Sequence, residues 1–297
     1  MSQENRLRDW VQAGERESGA RVIAVSGGKG GVGKTNLSVA LGLTAASQGR
    51  ETMLLDGDLG LANIDVLFDL ELERDLSHVL AGRATLDEIL VDLPFGLTLV
   101  PGASGMTQMA DLPDADPEAL ERTLCGLEDR AELILVDTGA GINREVVEFC
   151  VHAGEVLIVT TPEPTAITDA YALIKVLAER EPGLRLWLVV NMARNRAEGD
   201  ATVSRVQEVA RRFLGVSVQS AGVVLADPAV TDAVRDRQPF TLAHPHSEAH
   251  ACVRSMAQTL GFDRPFRGQS SKFFRRMKSL FVSTPGAEPD EAGGSSW

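Results

Sequence analysis

Short apolar runs punctuate the chain: "RVIAVSG" (21–27), "TMLLDGD" (52–58), "LTLVPG" (97–102), "LILVDTG" (133–139), "VLIVTTP" (156–162), "LWLVVN" (186–191) and "GVVLAD" (222–227). They are β-branched or leucine-rich, and most end in Gly, Asp, Asn or Pro, the pattern of strands buried on both faces. Between them, amphipathic stretches at 35–47, 117–130, 144–152, 166–180 and 201–214 predict helices. This alternation predicts an α/β protein: a single doubly wound domain with a mostly parallel sheet under helices. Sheets of that kind hold ligands at the carboxyl ends of their strands, where the polar motifs of this sequence fall.

Two segments depart from the pattern. Residues 1–19 are charged, with a short helical hint at Leu7, Trp10 and Val11. Residues 264–297 hold one basic-apolar stretch and then "STPGAEPDEAGGSSW", whose Pro, Gly, Ser and acidic content predicts disorder over 283–297. In "SKFFRRMKSLF" (271–281), Phe273, Phe274, Met277, Leu280 and Phe281 share one helical stripe, flanked by Lys272, Arg275, Arg276 and Lys278. The spacing predicts an amphipathic helix within 264–282, too short to span a bilayer but suited to lying in an anionic interface.

Composition narrows the classes. The 297 residues are 44% apolar, enough for a sizeable core, and carry a formal charge of −13. That balance argues against a protein that coats nucleic acid, which needs a positive face. Cys125, Cys150 and Cys252 lie far apart without metal or disulfide spacing. A polar first twenty residues and the lack of a long apolar run predict a cytoplasmic protein.

Gly28 to Thr35 satisfies G-x-x-x-x-G-K-[ST], directly between a predicted strand and a predicted helix. Its glycines let backbone N–H groups turn toward phosphate oxygens, and the helix N-terminus adds positive potential. Lys34 is placed to neutralise β/γ charge and Thr35 to ligate Mg²⁺. Lys29, inside the same loop, is surplus to that chemistry.

The run K-G-G-V-G-K-T resembles the deviant phosphate loop of the MinD/ParA ATPases. The resemblance covers roughly 20–263 and implies a P-loop fold, ATP and Mg²⁺ as ligands, and Mg-dependent hydrolysis to ADP and phosphate. It implies that Gly28, Lys29, Gly30, Gly31, Val32, Gly33, Lys34, Thr35 and Asn36 form the phosphate cradle. Lys29 would cross a homodimer interface to the partner's nucleotide, in the role of an arginine finger. "LLDGDLGLANIDVLF" (54–68) resembles the family's switch I, with Asp58 orienting the attacking water and Asp56 near the Mg²⁺ shell. "LILVDTGAGI" (133–142) resembles the Walker B strand and switch II, with Asp137 holding a Mg²⁺-bound water. Gly139 stands where many members have proline. "NMAR" (191–194) lacks the acidic partner of a guanine-reading motif, and Asn191 resembles the family's adenine contact.

Within the family, "DLGLANIDVL", "DTGAGI" and "EPTAITDAYALIK" (163–175) are most similar to the flagellar-number regulators, the FlhG/FleN group. That likeness implies control of flagellar number or placement through the GTPase FlhF, a FleQ/FlrA-type transcription activator and flagellar switch-complex proteins. It also implies a peripheral position on the inner face of the cell membrane in the ATP state. "SQENRLR" (2–8) resembles the partner-activating head of that group at Gln3, Leu7 and Arg8, while Ser2 and Glu4 depart from it. A septum-site MinD and a partitioning ParA protein are the alternatives. An iron–sulfur reductase would need a ligand cysteine where Thr138, Gly139 and Ala140 stand, and a bacterial tyrosine kinase would need more than Tyr171.

Overall fold

The computed structural model describes residues 19–58, 63–102, 125–264 and 273–276. Its centre is strand β1 (Arg21–Gly27), buried along nearly its whole length because its Val, Ile and Ala side chains meet helices on both sides. Around it lie β2 (Thr52–Gly57), β3 (Val91–Asp92), β4 (Thr98–Val100), β5 (Leu133–Ala140), β6 (Glu155–Thr160), β7 (Arg185–Ala193) and β8 (Val218–Leu225). They form an eight-stranded sheet in the order β3-β4-β2-β5-β1-β6-β7-β8. Every pairing is parallel except that of the short edge strand β3 with β4.

Alternation along β1 divides the core. Ile23 and Val25 face α1 (Lys34–Ser47) and α9 (Glu248–Thr259), within a cluster that includes Leu41, Leu157 and Phe262. Val22 and Ala24 face the other layer, built from α4 (Arg144–Ala153), α5 (Pro164–Arg180) and α6 (Arg196–Val209). At the opposite end of the sheet from the phosphate loop, buried Glu155 joins three strands. It accepts bonds from Arg21 at 2.9 and 2.5 Å and from Trp187 Nε1 at 2.6 Å.

The sheet and the helices agree with the sequence pattern over the described residues, the helix expected at 117–130 being described only over 125–128, and the differences have local causes. β8 starts at Val218, before the predicted 222, because edge position lets Gln219 and Ser220 stand exposed within a strand. α6 starts at Arg196, before the predicted 201, because Asn195 caps it by accepting from Glu198 N–H. Its end winds into a π-turn, Ala210–Leu214, closed by Gly215 in the left-handed region. α9 escapes the pattern because its buried residues are the small or spaced Ala249, Val253, Met256 and Ala257.

The basic-apolar stretch requires a correction. Its described part does not present an apolar stripe outward: Phe273 is 0% exposed and Phe274 2%. Both join the cluster of Leu76, Leu86, Ile89, Leu127 and Phe149, with the Phe273 ring 6.5 Å from that of Phe149. Two phenyl rings gain more by leaving water for this groove, about 1.5–3 kcal/mol each, than by staying solvated. Arg275 and Arg276 stay exposed. Met277, Leu280, Phe281, the tail beyond them and the head residues Gln3, Leu7 and Arg8 lie outside the described residues.

Packing of α6 on the sheet depends on Gly199, where a Cβ would come within 2.3 Å of Val223 Cγ1. Gly199→Ala is expected to destabilise the domain by about 1–3 kcal/mol through overpacking, read as a lower urea midpoint at unchanged slope.

Candidate functional site

The phosphate loop leaves β1 at Gly27 and enters α1 at Lys34. Gly31 and Gly33 take φ of 77° and 89°, which lets the chain curl without a Cβ penalty. Gly28 has a second constraint: a Cβ there would lie 2.2 Å from the Asp169 carbonyl oxygen of α5. Gly30 has open surroundings, and Val32 is buried in the core beneath the loop. α1 starts from Gly33 without a side-chain cap, so its first N–H groups are left for an anion. Asn36, in that first turn, has a buried Oδ1 with no hydrogen-bond partner among the described residues.

Asn191, at the end of β7, is tied to this loop. Its Nδ2 donates to the Val32 carbonyl at 2.9 Å, and a Cβ on Gly33 would come within 2.4 Å of the same nitrogen. Only the amide nitrogen can face a carbonyl, so the side chain's orientation is set. A cavity of about 560 Å³ opens at the end of β8, lined by Asp227, Pro228, His244, His246 and Ser247 among others. The Ala226 N–H donates to the Ala193 carbonyl at 2.9 Å, which joins this cavity's wall to the end of β7.

The acidic groups converge from neighbouring strands. Asp56 and Asp137 are register partners across β2 and β5, and both are buried. Asp137 accepts from the Thr35 side chain and from Ser38 Oγ, the latter at 2.8 Å. Asp56 accepts backbone N–H bonds from Asp58, Asn63 and Ile64, so it also shapes the turn that follows β2. Asp58 sits half-buried near the end of β5: a Cβ on Gly139 would lie 3.3 Å from its Oδ1.

Burial sets the electrostatics. Desolvation, followed by repulsion from Asp137, pushes the Asp56 carboxyl up to about 7. Desolvation raises Asp137 to about 6 despite hydrogen bonds from Thr35 and Ser38 and the nearby Lys34. Burial lowers Lys34, while Asp137 and Asp58 act to keep it charged. Two desolvated carboxylates side by side are what a hard divalent cation relieves, so Thr35, Asp56 and Asp137 fit a magnesium ion.

Lys29 behaves differently. It points away from this cluster, and its Nζ bonds Glu163 Oε2 at 2.7 Å and Thr165 Oγ1 at 3.1 Å, all on the surface. Sequence reasoning singled out neither partner, although both lie in the "EPTAITDAYALIK" run. It also missed Ser38, which an i+4 step from Lys34 could have found.

Residues 23–240 match the CobQ/CobB/MinD/ParA nucleotide binding domain, and the chain belongs to this family of nucleotide-binding ATPase domains. More particularly, it is 44% identical over 238 residues to the antiactivator FleN of Pseudomonas aeruginosa, spanning 80% of this chain and 85% of that one. It is 33% identical over 276 residues to the flagellum site-determining protein YlxH of Helicobacter pylori, spanning 90% and 92%. Among solved structures, the septum site-determining protein MinD of Pyrococcus horikoshii, complexed with Mg-ADP, superposes with a TM-score of 0.65 at 26% identity, covering 81% of this chain and 96% of that one. No helix among the described residues is long and apolar enough to cross a membrane.

The acidic pair predicts a pH signature for the nucleotide-free chain. Both carboxyls sit above their ordinary value when folded, so their contribution is fully present below about pH 4 and is lost as pH rises through 6 to 7. Asp56→Asn, which keeps an acceptor for the Asp58 N–H, is expected to raise the thermal midpoint at about pH 8 and to flatten its decline from about pH 5. Calorimetry across that range checks it.

Proposed function

We propose that the chain is an ATP-driven dimerising switch that regulates flagellar number or placement. The observation that carries this reading is the separation of its two loop lysines. Lys34 is buried at 8% exposure among the acidic residues of its own site, whereas the Lys29 side chain is exposed and, among the described residues, bonds to Glu163 and Thr165. An exposed ion pair of that kind contributes at most about 1 kcal/mol, so Lys29 is readily drawn to a stronger anion on a second copy. Two copies facing one another would each supply Lys29 to the other's triphosphate, tying bond cleavage to pairing.

ATP fits the loop and its surroundings. With one Asn191 amide hydrogen committed to Val32, Oδ1 is left to accept from an exocyclic amine, which adenine has at position 6 and guanine lacks there. Magnesium, held through Thr35 and Asp137 with Asp56 alongside, would offset charge on the β- and γ-phosphates. Lys34 binds the same phosphates. Asp58 orients the attacking water, and its contact with Gly139 lets switch I sense switch II.

The relative YlxH is named a flagellum site-determining protein and FleN an antiactivator, and together they support a flagellar regulatory role over septum placement or DNA partitioning. The GTPase FlhF, a FleQ/FlrA-type activator and switch-complex proteins are the partners this reading takes. Peripheral contact with anionic lipid on the inner face of the cell membrane belongs to the ATP state. For that contact, Phe273 and Phe274 must first leave the groove they fill, because lipid cannot reach rings at 0% and 2% exposure.

Light scattering after gel filtration tests the pairing. The full-length chain is expected to run as a monomer with ADP and at twice that mass with Mg²⁺ and a slowly hydrolysed ATP analogue. A single mass in both conditions at high concentration overturns the proposal. Lys29→Ala is expected to cut phosphate release by about 100-fold or more, with fluorescent ADP affinity changed only a few-fold. Asp58→Ala is expected to accumulate as the paired form in plain ATP.

A further inference from the structure

A carboxylate outside the nucleotide site has no part in the mechanism above. Glu128, on the helical turn 125–128 that precedes β5, is 7% exposed within an otherwise apolar groove. Its Oε1 accepts the Phe274 backbone N–H at 2.9 Å, and the Phe273 N–H also bonds to it. The two rings anchored by these amides pack edge to face, with centroids 4.9 Å apart, and fill the groove beside Phe149. A buried carboxylate bonded to main-chain amides of the segment that covers it is a joint, since the two can part only by exchanging these buried bonds for bonds to water.

We infer that Glu128 is the latch that holds the Phe273–Arg276 segment on the domain, and that its charge sets how firmly the segment is held. The segment's burial of Glu128 supplies the coupling. Desolvation, with a smaller push from Asp129, raises this carboxyl to about 7, while the amides of Phe274 and Phe273 and the charge of Arg275 oppose the shift. In the parted state the carboxyl meets water and returns toward its ordinary value of 4.5. The docked state therefore binds the extra proton. Docking is strongest at low pH from this group and weakens as pH rises through about 7.

One group works against that trend. Arg276 faces His152 of α4, which also sees Glu148 and, from α5, Arg180. Burial and then the two arginines hold this imidazole below its usual value, against the pull of Glu148. Protonating His152 would repel Arg276, so acid below the usual histidine range loosens the segment again. Docking should accordingly be firmest in the mildly acidic interval between the two titrations.

The latch rests on the docked segment alone, not on lipid binding or dimer formation, and its test avoids both. Limited trypsin digestion of the full-length chain with ADP follows cleavage after Arg275 and Arg276, normalised to cleavage after Arg194, whose side chain is 83% exposed on the bend before α6. A protease needs the segment to leave its groove. Glu128→Ala, which removes the acceptor, is expected to speed this cleavage about tenfold. Glu128→Gln keeps an acceptor oxygen without the charge. It should cleave more slowly than wild type at about pH 8, and its rate relative to wild type should converge at about pH 6. Equal normalised rates for the three proteins at both pH values overturn the latch. Thermal melts of each variant register any general loss of fold, and Phe273→Ala, which weakens the segment without touching the domain's own groups, should reproduce the Ala phenotype. Altered cleavage with no lipid pelleting would leave the latch standing and remove only the membrane reading.

Discussion

Two carboxylates forced together in a dry place organise this molecule. Parallel pairing of β2 with β5 puts Asp56 opposite Asp137, and the helical layers deny both of them water. Burial raises the cost of ionising each of them, and Asp137 adds repulsion at Asp56, which is why both titrate well above the usual carboxylate range. Nearly every neighbour is explained as a response. Thr35 and Ser38 of α1 donate to Asp137, Lys34 brings a positive charge, and the backbone N–H groups of Asp58, Asn63 and Ile64 bond to Asp56. The turn that carries Asp58 is thus folded around a group whose charge state depends on what occupies the site.

That dependence reaches outward by contact. Asp58 lies close to Gly139, which brings the residue after β2 beside the end of β5. Beyond Gly139 and Ala140, β5 gives way to the segment that carries exposed Ile142 and then to α4, whose Phe149 forms part of the groove under Phe273. The nucleotide site and the carboxy-terminal segment are therefore joined through one helix. The same helix carries Glu148 and His152, which face Arg180 and Arg276. A shift of α4 along its axis would be felt at both ends.

Lys29 and the two phenylalanines share one physical condition. Each is chemically equipped for a partner, a phosphate in one case and an apolar phase in the other, and each is occupied within its own chain. The occupations differ in strength. Lys29 rests in an exposed ion pair, weak and screened by salt. The rings are buried completely and hold a buried carboxylate beneath them. Releasing the lysine asks for little, and releasing the segment asks for much more.

Much was legible before any coordinates. The sheet could be read from runs such as "RVIAVSG" because a strand buried on both faces must be apolar throughout, and the phosphate loop from its glycines because only they allow φ near 77° and 89°. The edge strand's early start, α9 and the cap at Asn195 were less visible, since polar residues at an edge and small residues in a helix leave no periodic mark. Nor could the pattern say that Asn191 grips Val32, that Lys29 rests on Glu163, or that Glu128 lies beneath Phe274. By itself the sequence determined which residues are suited to phosphate, to metal and to an apolar surface, because side-chain chemistry and local backbone freedom are properties of the chain. Tertiary structure alone decided what each of them meets. The stripe of phenylalanines shows the distinction: periodicity requires that such a face be covered, and only packing against Phe149 and Glu128 determines that, in this state, the domain itself is the cover.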